Sequence, residues 1–240
     1  MSFARARGNP NADSTSVATP QRTGRYSEAY TSPVTNKEFF AADEGSMFVA
    51  VNPTAGTGIL GHAAPTTFDE TKAYLNIYNG NSAGGNNIYL QRILLVDTVV
   101  SVGDTRTQFN FTIDNINRYT SGGTALVVAN TNMSSGTTSG ASIFAGATIA
   151  PAASGARRLL GNYVIKGANI DVVWDQIEFV FGSTGSSTGG LLTPTTTAVH
   201  FTRYMPAIVI GPGQSFLMYQ WAASQSTGPT YEVIVDYIER

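Results

Sequence analysis

The sequence predicts an all-β fold, a jelly-roll β-sandwich with an extended N-terminal arm and few or no helices. Three observations predict it. Short runs rich in Val, Ile, Phe and Tyr recur from Phe39 to the end, separated by clusters of Gly, Asn, Ser and Thr. No segment holds a helical period for more than about two turns. The stretch Pro206–Arg240 also reads as strand, tight turn, strand, loop and strand, ending with the chain. There, Gly211-Pro212-Gly213-Gln214 has the chemistry of a type II turn, with Pro fixing φ near −65° and Gly accepting the positive φ that follows. In the last run, Tyr231, Val233, Val235 and Tyr237 fall on one face, with Glu232 and Asp236 on the other.

The remaining elements follow in order. Phe39–Val51 has room for one helical turn before a strand at Met47–Val51, and 56–69 reads as a long loop. Lys72–Tyr78 alternates Ala73, Leu75 and Ile77 against Tyr74, Asn76 and Tyr78, and Asn79-Gly80 signals a turn. Ile88–Val102 is one bent strand or two strands joined at Asp97. Thr107–Ile113 alternates, with Phe109, Phe111 and Ile113 facing inward. Further strands are expected over 124–129, 143–149, 159–166, 170–181 and 198–204. The Gly/Ser/Thr tract 182–190 reads as a surface or contact loop. Eight to ten strands with long loops indicate a sandwich of jelly-roll type over 38–240.

Residues 1–37 read as an arm. Their apolar residues are sparse and aperiodic, so on composition alone the segment is expected to be disordered; where it is ordered, it either packs along its own domain or, the preferred reading, lies on a neighbouring subunit in an assembly. Phe3, Arg5, Arg7, Arg22, Arg25 and Tyr26 are the residues expected to dock it. Four well-separated arginines are a weak nucleic-acid signal, and a formal net charge of −2 makes nucleic acid an unlikely main partner.

Composition narrows the function. Charged residues make up 12% of the 240, about half the usual share, so the surface is polar but poorly charged, which suits a protein with occupied flanks. With no cysteine there is no disulfide framework, thiolate site or cysteine nucleophile. The apolar runs are too short to span a bilayer as a helix, and the first residues lack the apolar core of an export signal, so a soluble protein outside membranes is expected.

No constellation for chemistry emerges. His62 lies in a loop without a second ligand nearby. His200 sits in a strand beside Arg203, and a cupin-type metal site needs three histidines where this chain has two. Asp171 and Asp175 share a strand face about 13 Å apart, beyond the spacing of either glycosidase mechanism, and read as solvent-facing charge or as partners for Arg157 and Arg158. Glu178 points the other way. The Gly-rich run 79–87 has no lysine for a phosphate loop, and no Gly-x-Ser-x-Gly elbow is present. The expectation is a non-enzyme with no cofactor and no metal. Tyr74 and Tyr78, read as sharing an outer face with Asn76, offer either a protein interface or a sugar-stacking platform. A carbohydrate-binding module is the alternative.

Three stretches carry a resemblance. The chain from Gly56 to Gly80 with its Asn79-Gly80 turn, the strand Asn87-Ile-Tyr-Leu-Gln-Arg-Ile93, and the segment Ile208–Trp221 containing Gly-Pro-Gly-Gln-Ser together resemble bacteriophage virion structural proteins. The likeness covers about half of the chain. It implies a jelly-roll protein that decorates or cements a phage head, a homo-oligomer and most often a trimer, contacting other capsid proteins, without catalytic residues and located in the virion after synthesis in the host cytoplasm. Deleting residues 1–37 is then expected to preserve the far-ultraviolet β signal and cooperative melting while abolishing attachment. Co-sedimentation with particles lacking the native protein measures this, and full occupancy by the truncated chain rejects the docking role of the arm.

Overall fold

The computed structural model describes residues 37–60, 66–103, 107–151, 157–165, 172–183, 200–222 and 225–240. Lys37, placed by the sequence at the end of the arm, opens a short helix, α1 (Lys37–Asp43). The helix ends at Gly45, whose φ of +70° lets its N–H reach back to the Ala42 carbonyl at 2.9 Å. Strands follow at β1 (Met47–Val51), β2 (Ile59–Leu60), β3 (Leu75–Asn79), β4 (Ile88–Val99), β5 (Val102–Gly103) and β6 (Thr107–Asp114). Next come β7 (Tyr119–Ser121), β8 (Thr124–Ala125), β9 (Val127–Asn130), β10 (Ala141–Ala145), β11 (Thr148–Ile149) and β12 (Arg158–Ile165). The chain closes with β13 (Gln176–Phe181), β14 (His200–Met205), β15 (Ile208–Ile210), β16 (Ser215–Trp221), β17 (Gln225–Thr227) and β18 (Thr230–Glu239).

These strands form an all-β sandwich. The larger sheet runs β14-β13-β4-β18-β1-β9, with β15 and β2 attached to β4 and β18, and the smaller runs β12-β6-β16-β3-β10-β8. Eight strands carry the architecture, and they pair as a nest. First with last is β1 with β18, then β3 with β16, β4 with β13, and innermost β6 with β12, all antiparallel. The pairing of β13 with β14 is parallel. On one flank the two sheets are joined covalently, because β8 lies in the smaller sheet and β9 in the larger, with only buried Leu126 between them. Gly123, at φ +73°, sets up this crossing where a Cβ would sit 2.7 Å from the Ala145 carbonyl oxygen.

Alternation fills the space between the sheets. Phe109 and Phe111 from β6 meet Phe179 from β13 edge-on, with centroids 5.3 and 4.9 Å apart, and Phe216 joins them from β16. Tyr231, Val233, Val235 and Tyr237 of β18 are all buried, as their spacing predicts. Tyr74 breaks its own alternation. It turns inward with Leu75, lies edge-on to Tyr231 at 5.6 Å, and burial raises its phenol pKa well above the ordinary value. The Gly211–Gln214 turn forms as predicted, with Gly213 at φ +78° and a 3.0 Å hydrogen bond from Gln214 N–H to the Gly211 carbonyl. Ile88–Val99 is one continuous strand without a break at Asp97.

The outer face of the smaller sheet is roofed by the chain itself. The β7–β11 ribbon lies over it, and Ala73, Ile149, Leu217 and Tyr219 form a second apolar cluster beneath. One ion pair pins the roof. Arg118, fully buried, donates from Nη1 to Asp114 at 2.6 Å and from Nε to the Ala150 carbonyl at 2.7 Å, while Ala150 N–H returns a bond to the Arg118 carbonyl. Two desolvated charges in such a place are held by mutual attraction and by those extra bonds, and removing one strands the other. Arg118→Ala should therefore cost about 3–5 kcal/mol of unfolding free energy. The double change Arg118→Met with Asp114→Leu should recover most of it, as read from denaturant midpoints.

Candidate functional site

Phe3, Arg5, Arg7, Arg22, Arg25 and Tyr26 lie outside the described residues, as do His62 and Asp171. The described chain brings together a different surface, the outer face of the larger sheet. In a half-solvated sheet that face is normally polar. Here aliphatic side chains share it with Glu232, Asp236, Arg92 and Glu178. Leu94, Ile234 and Val51 stand side by side across β4, β18 and β1, and the row continues to Val127 on β9. The next row sets Val180 beside Arg92, then Asp236 and Val49. A third places Tyr89, Ile238 and Met47 together, with Val209 beyond Tyr89. Val127 is 50% exposed and Val209 43%, whereas Leu94, Ile234, Val49 and Val51 are partly exposed. Ile238 in the third row is buried, and Gly56 N–H reaches Glu232 on the same face, so its cover is uneven.

A charged knot sits within the aliphatic rows. Arg92 donates from Nε to Asp236 at 2.6 Å and lies 3.6 Å from Glu178, which also accepts a bond from Thr202 Oγ1 at 2.9 Å. His200 stands 3.2 Å from the same carboxylate, half exposed. Two acids around one guanidinium, with a hydroxyl on the second, satisfy each other laterally across four strands. Such a knot fixes the register of a surface without projecting charge far from it. Glu178 is thus shared by three neighbours, Arg92, Thr202 and His200. Among the described residues no three His, Asp or Glu side chains come together as a metal site, and no helix is long and apolar enough to cross a membrane.

Several sequence expectations change here. Tyr74 is in the core, so it shares no outer face with Tyr78, and the two-tyrosine sugar platform does not form. Asn76, read as outward and polar, is fully buried beneath the roof of the smaller sheet. Asp175 is not solvent-facing strand charge. It is 4% exposed and accepts the Val172 N–H at 2.9 Å, closing a turn that precedes β13 where a continuous strand was expected. Arg157 pairs with Glu70. Glu178 does point to the opposite face from the core, as the period predicts.

The turn at 172–175 holds the one non-glycine residue among those described with a left-handed backbone. Trp174 has φ 78°, is 57% exposed, and is held by its N–H bond to the Asp97 carbonyl at 2.7 Å. A large side chain in that region is strained by about 1–3 kcal/mol. Val173 and Val99 are exposed beside it, so this end of the sandwich is apolar at its tip.

No protein-family model, no curated protein and no solved structure matches the chain. The surface was legible in principle. Met47–Val51 is apolar at every position, and Ile88–Val96 is apolar at all but two, where a strand with one wet face would alternate. Trp174 gave no such signal, because a left-handed tryptophan follows no composition rule. Trp174→Gly should raise stability by about 0.5–1 kcal/mol, since glycine relieves the strain at a modest entropic cost. A fall in melting temperature would show that the indole is packed more firmly than its exposure indicates.

Proposed function

We propose that this chain is a non-enzymatic structural subunit of a bacteriophage virion, a head decoration or cement protein of jelly-roll type that holds its neighbours through the outer face of its larger sheet. The observation that carries this reading is the aliphatic row Leu94, Ile234, Val51 and Val127. A stable fold gains nothing from lining an open sheet face with branched aliphatic side chains, whereas a subunit gains about 25 cal/mol for each Å² of such surface removed from water on association. The charged knot at Arg92 contributes alignment more than affinity.

The nested pairing of the eight main strands supports the jelly-roll assignment, an architecture used by viral capsid and lectin domains alike. Fold does not fix function, so the surface chemistry carries the choice between them. The core position of Tyr74 removes the aromatic pair on which a sugar-binding reading rested, and the low charge content suits a subunit surrounded by copies and by shell protein. The phage assignment itself rests on the resemblance in the Asn87–Ile93 and Ile208–Trp221 strands.

Sedimentation equilibrium tests the assembly. The wild-type chain should form an oligomer, most simply a trimer, without added ligand. The pair Leu94→Lys and Ile234→Lys should weaken it at least 100-fold, because two ammonium groups would have to be desolvated at the contact, while leaving the β signal unchanged. A 25.4 kDa monomer at high micromolar concentration rejects the proposal. Electron microscopy of phage particles with and without the protein tests its place in the virion.

A further inference from the structure

The chain holds a single Asn-Gly pair, Asn79-Gly80, at the end of β3. In a flexible chain that pair is chemically labile, because the glycine nitrogen can close on the asparagine side-chain carbonyl with no Cβ in its way. The fold requires both residues nonetheless. Asn79 is fully buried, and its polar atoms are bonded throughout. Its N–H donates to the Gln214 carbonyl at 3.0 Å, and its own carbonyl accepts the Gly213 N–H at 2.8 Å. The side-chain Nδ2 donates to the Asn86 carbonyl at 2.9 Å and to the Ile210 carbonyl at 2.8 Å, while Oδ1 accepts the Asn81 N–H at 3.1 Å. One carboxamide thus ties β3 of the smaller sheet to β15 of the larger and to the chain entering β4. Gly80 donates its N–H to the Gly140 carbonyl at 2.9 Å, and a Cβ at this position would lie 2.9 Å from the same oxygen. A larger residue would press on backbone that has no room to give.

We propose that Asn79 is a latent modification site, silent while this end of the sandwich is closed, converted to aspartate or isoaspartate when it opens, and unable to close it again once converted. The closed geometry withholds the reaction twice. The attacking nitrogen is engaged with Gly140, and rotation of the carboxamide is opposed by the bonds to Asn86, Ile210 and Asn81. Local opening removes both restraints. Gly80 N then gives up its proton and bonds to Asn79 Cγ, the Cγ–Nδ2 bond breaks, and Nδ2 leaves as ammonia with a proton from solvent. Water opens the cyclic imide at either of its carbonyls, so the sum is water in and ammonia out. Neither product fits. Aspartate sets a carboxylate oxygen where Nδ2 had donated, against the carbonyl oxygens of Asn86 and Ile210, and leaves a buried charge unpaired. Isoaspartate routes the main chain through Cγ, and the added carbon throws Gly80 out of line with Gly140 just where Asn79 pairs with Ala141. The site therefore sets the lifetime of the fold, independently of any assembly.

Ageing the full chain folded and in urea, at one mildly alkaline pH and one temperature, tests this. Trypsin cutting after Lys72 and Arg92 then releases a peptide spanning 73–92, in which fragmentation by mass spectrometry reads residue 79. Conversion of Asn79 should be about tenfold faster or more in urea than in the folded chain. Equal rates overturn the proposal, and so does a failure to convert in urea. The aged urea sample is next diluted to refold and its folded fraction isolated by size. Converted residue 79 should be about tenfold scarcer there than in the input. An equal share in both shows that the end closes over the product and overturns the irreversibility. Asn79→Asp, made directly, gives the same reading for a chain that does not refold from urea. It should be insoluble or melt well below the wild type, and an unchanged melting temperature counts as the same refutation.

Discussion

The larger sheet depends on the pairing of its last strand. β18 lies between β4 and β1, aligned with both along most of its length, and carries β2 as well. Its inward side chains Tyr231, Val233, Val235 and Tyr237 occupy the middle of the core. Without β18, β1 would have only β9 beside it, and β4 would face water along one edge. The constraint is topological as much as energetic. A strand placed centrally pairs with residues almost two hundred positions earlier in the sequence, so closure is entropically expensive. The polar end of the sandwich reinforces it. Asn87 and Arg240 exchange backbone bonds at 2.7 and 3.0 Å, and Asn79 Nδ2 reaches the Ile210 carbonyl at 2.8 Å, binding the chain end to the Gly211–Gln214 turn.

Around that frame the two outer faces are solved in opposite ways. The smaller sheet covers itself, with a ribbon locked by Arg118 and Asp114, and its outer side chains Leu217 and Tyr219 are as buried as the core. The larger sheet has side chains of similar character at Leu94, Ile234 and Val51, and these are partly exposed. The same aliphatic chemistry is thus internal on one side and available to a partner on the other. The contrast is the ground on which the second face is proposed as a surface for association.

Much of this fold was legible in the sequence. The strands at Thr107–Asp114 and the C-terminus announce themselves through period-2 patterning, those at Met47–Val51 and Ser215–Trp221 as short apolar runs, and Gly211–Gln214 through turn chemistry. Failures came where tertiary packing overrides local period. Tyr74 turns inward because Tyr231 offers an edge-on partner and the Ile59 and Tyr231 carbonyls lie within reach of its hydroxyl, which no local pattern encodes. Residues 124–129 read as one strand but serve two sheets, split at Leu126. The turn at 172–175 was hidden inside an apolar run, because its determinant is a bond to Asp97 from a distant strand. The outer face of the larger sheet was not singled out, because on β1 both sides are apolar and polarity does not tell inward from outward positions.

The passage through Leu126 has a consequence for how the molecule comes apart. Among the described residues the two layers are stitched along one margin through Leu126 and at one end by the Gly211–Gln214 turn, while Arg203 over the Tyr163 ring bridges the other margin, so they resemble a book with a spine. Were thermal opening to hinge at the spine, β12 and β14 would lift away before β1, β3 or β10 separate. Backbone amides near the fore-edge would then exchange with solvent deuterium through small, frequent openings, and those near the spine only through global unfolding. Any ligand or neighbour clasping the fore-edge would close the book, and would slow exchange throughout the interior without touching a single residue there.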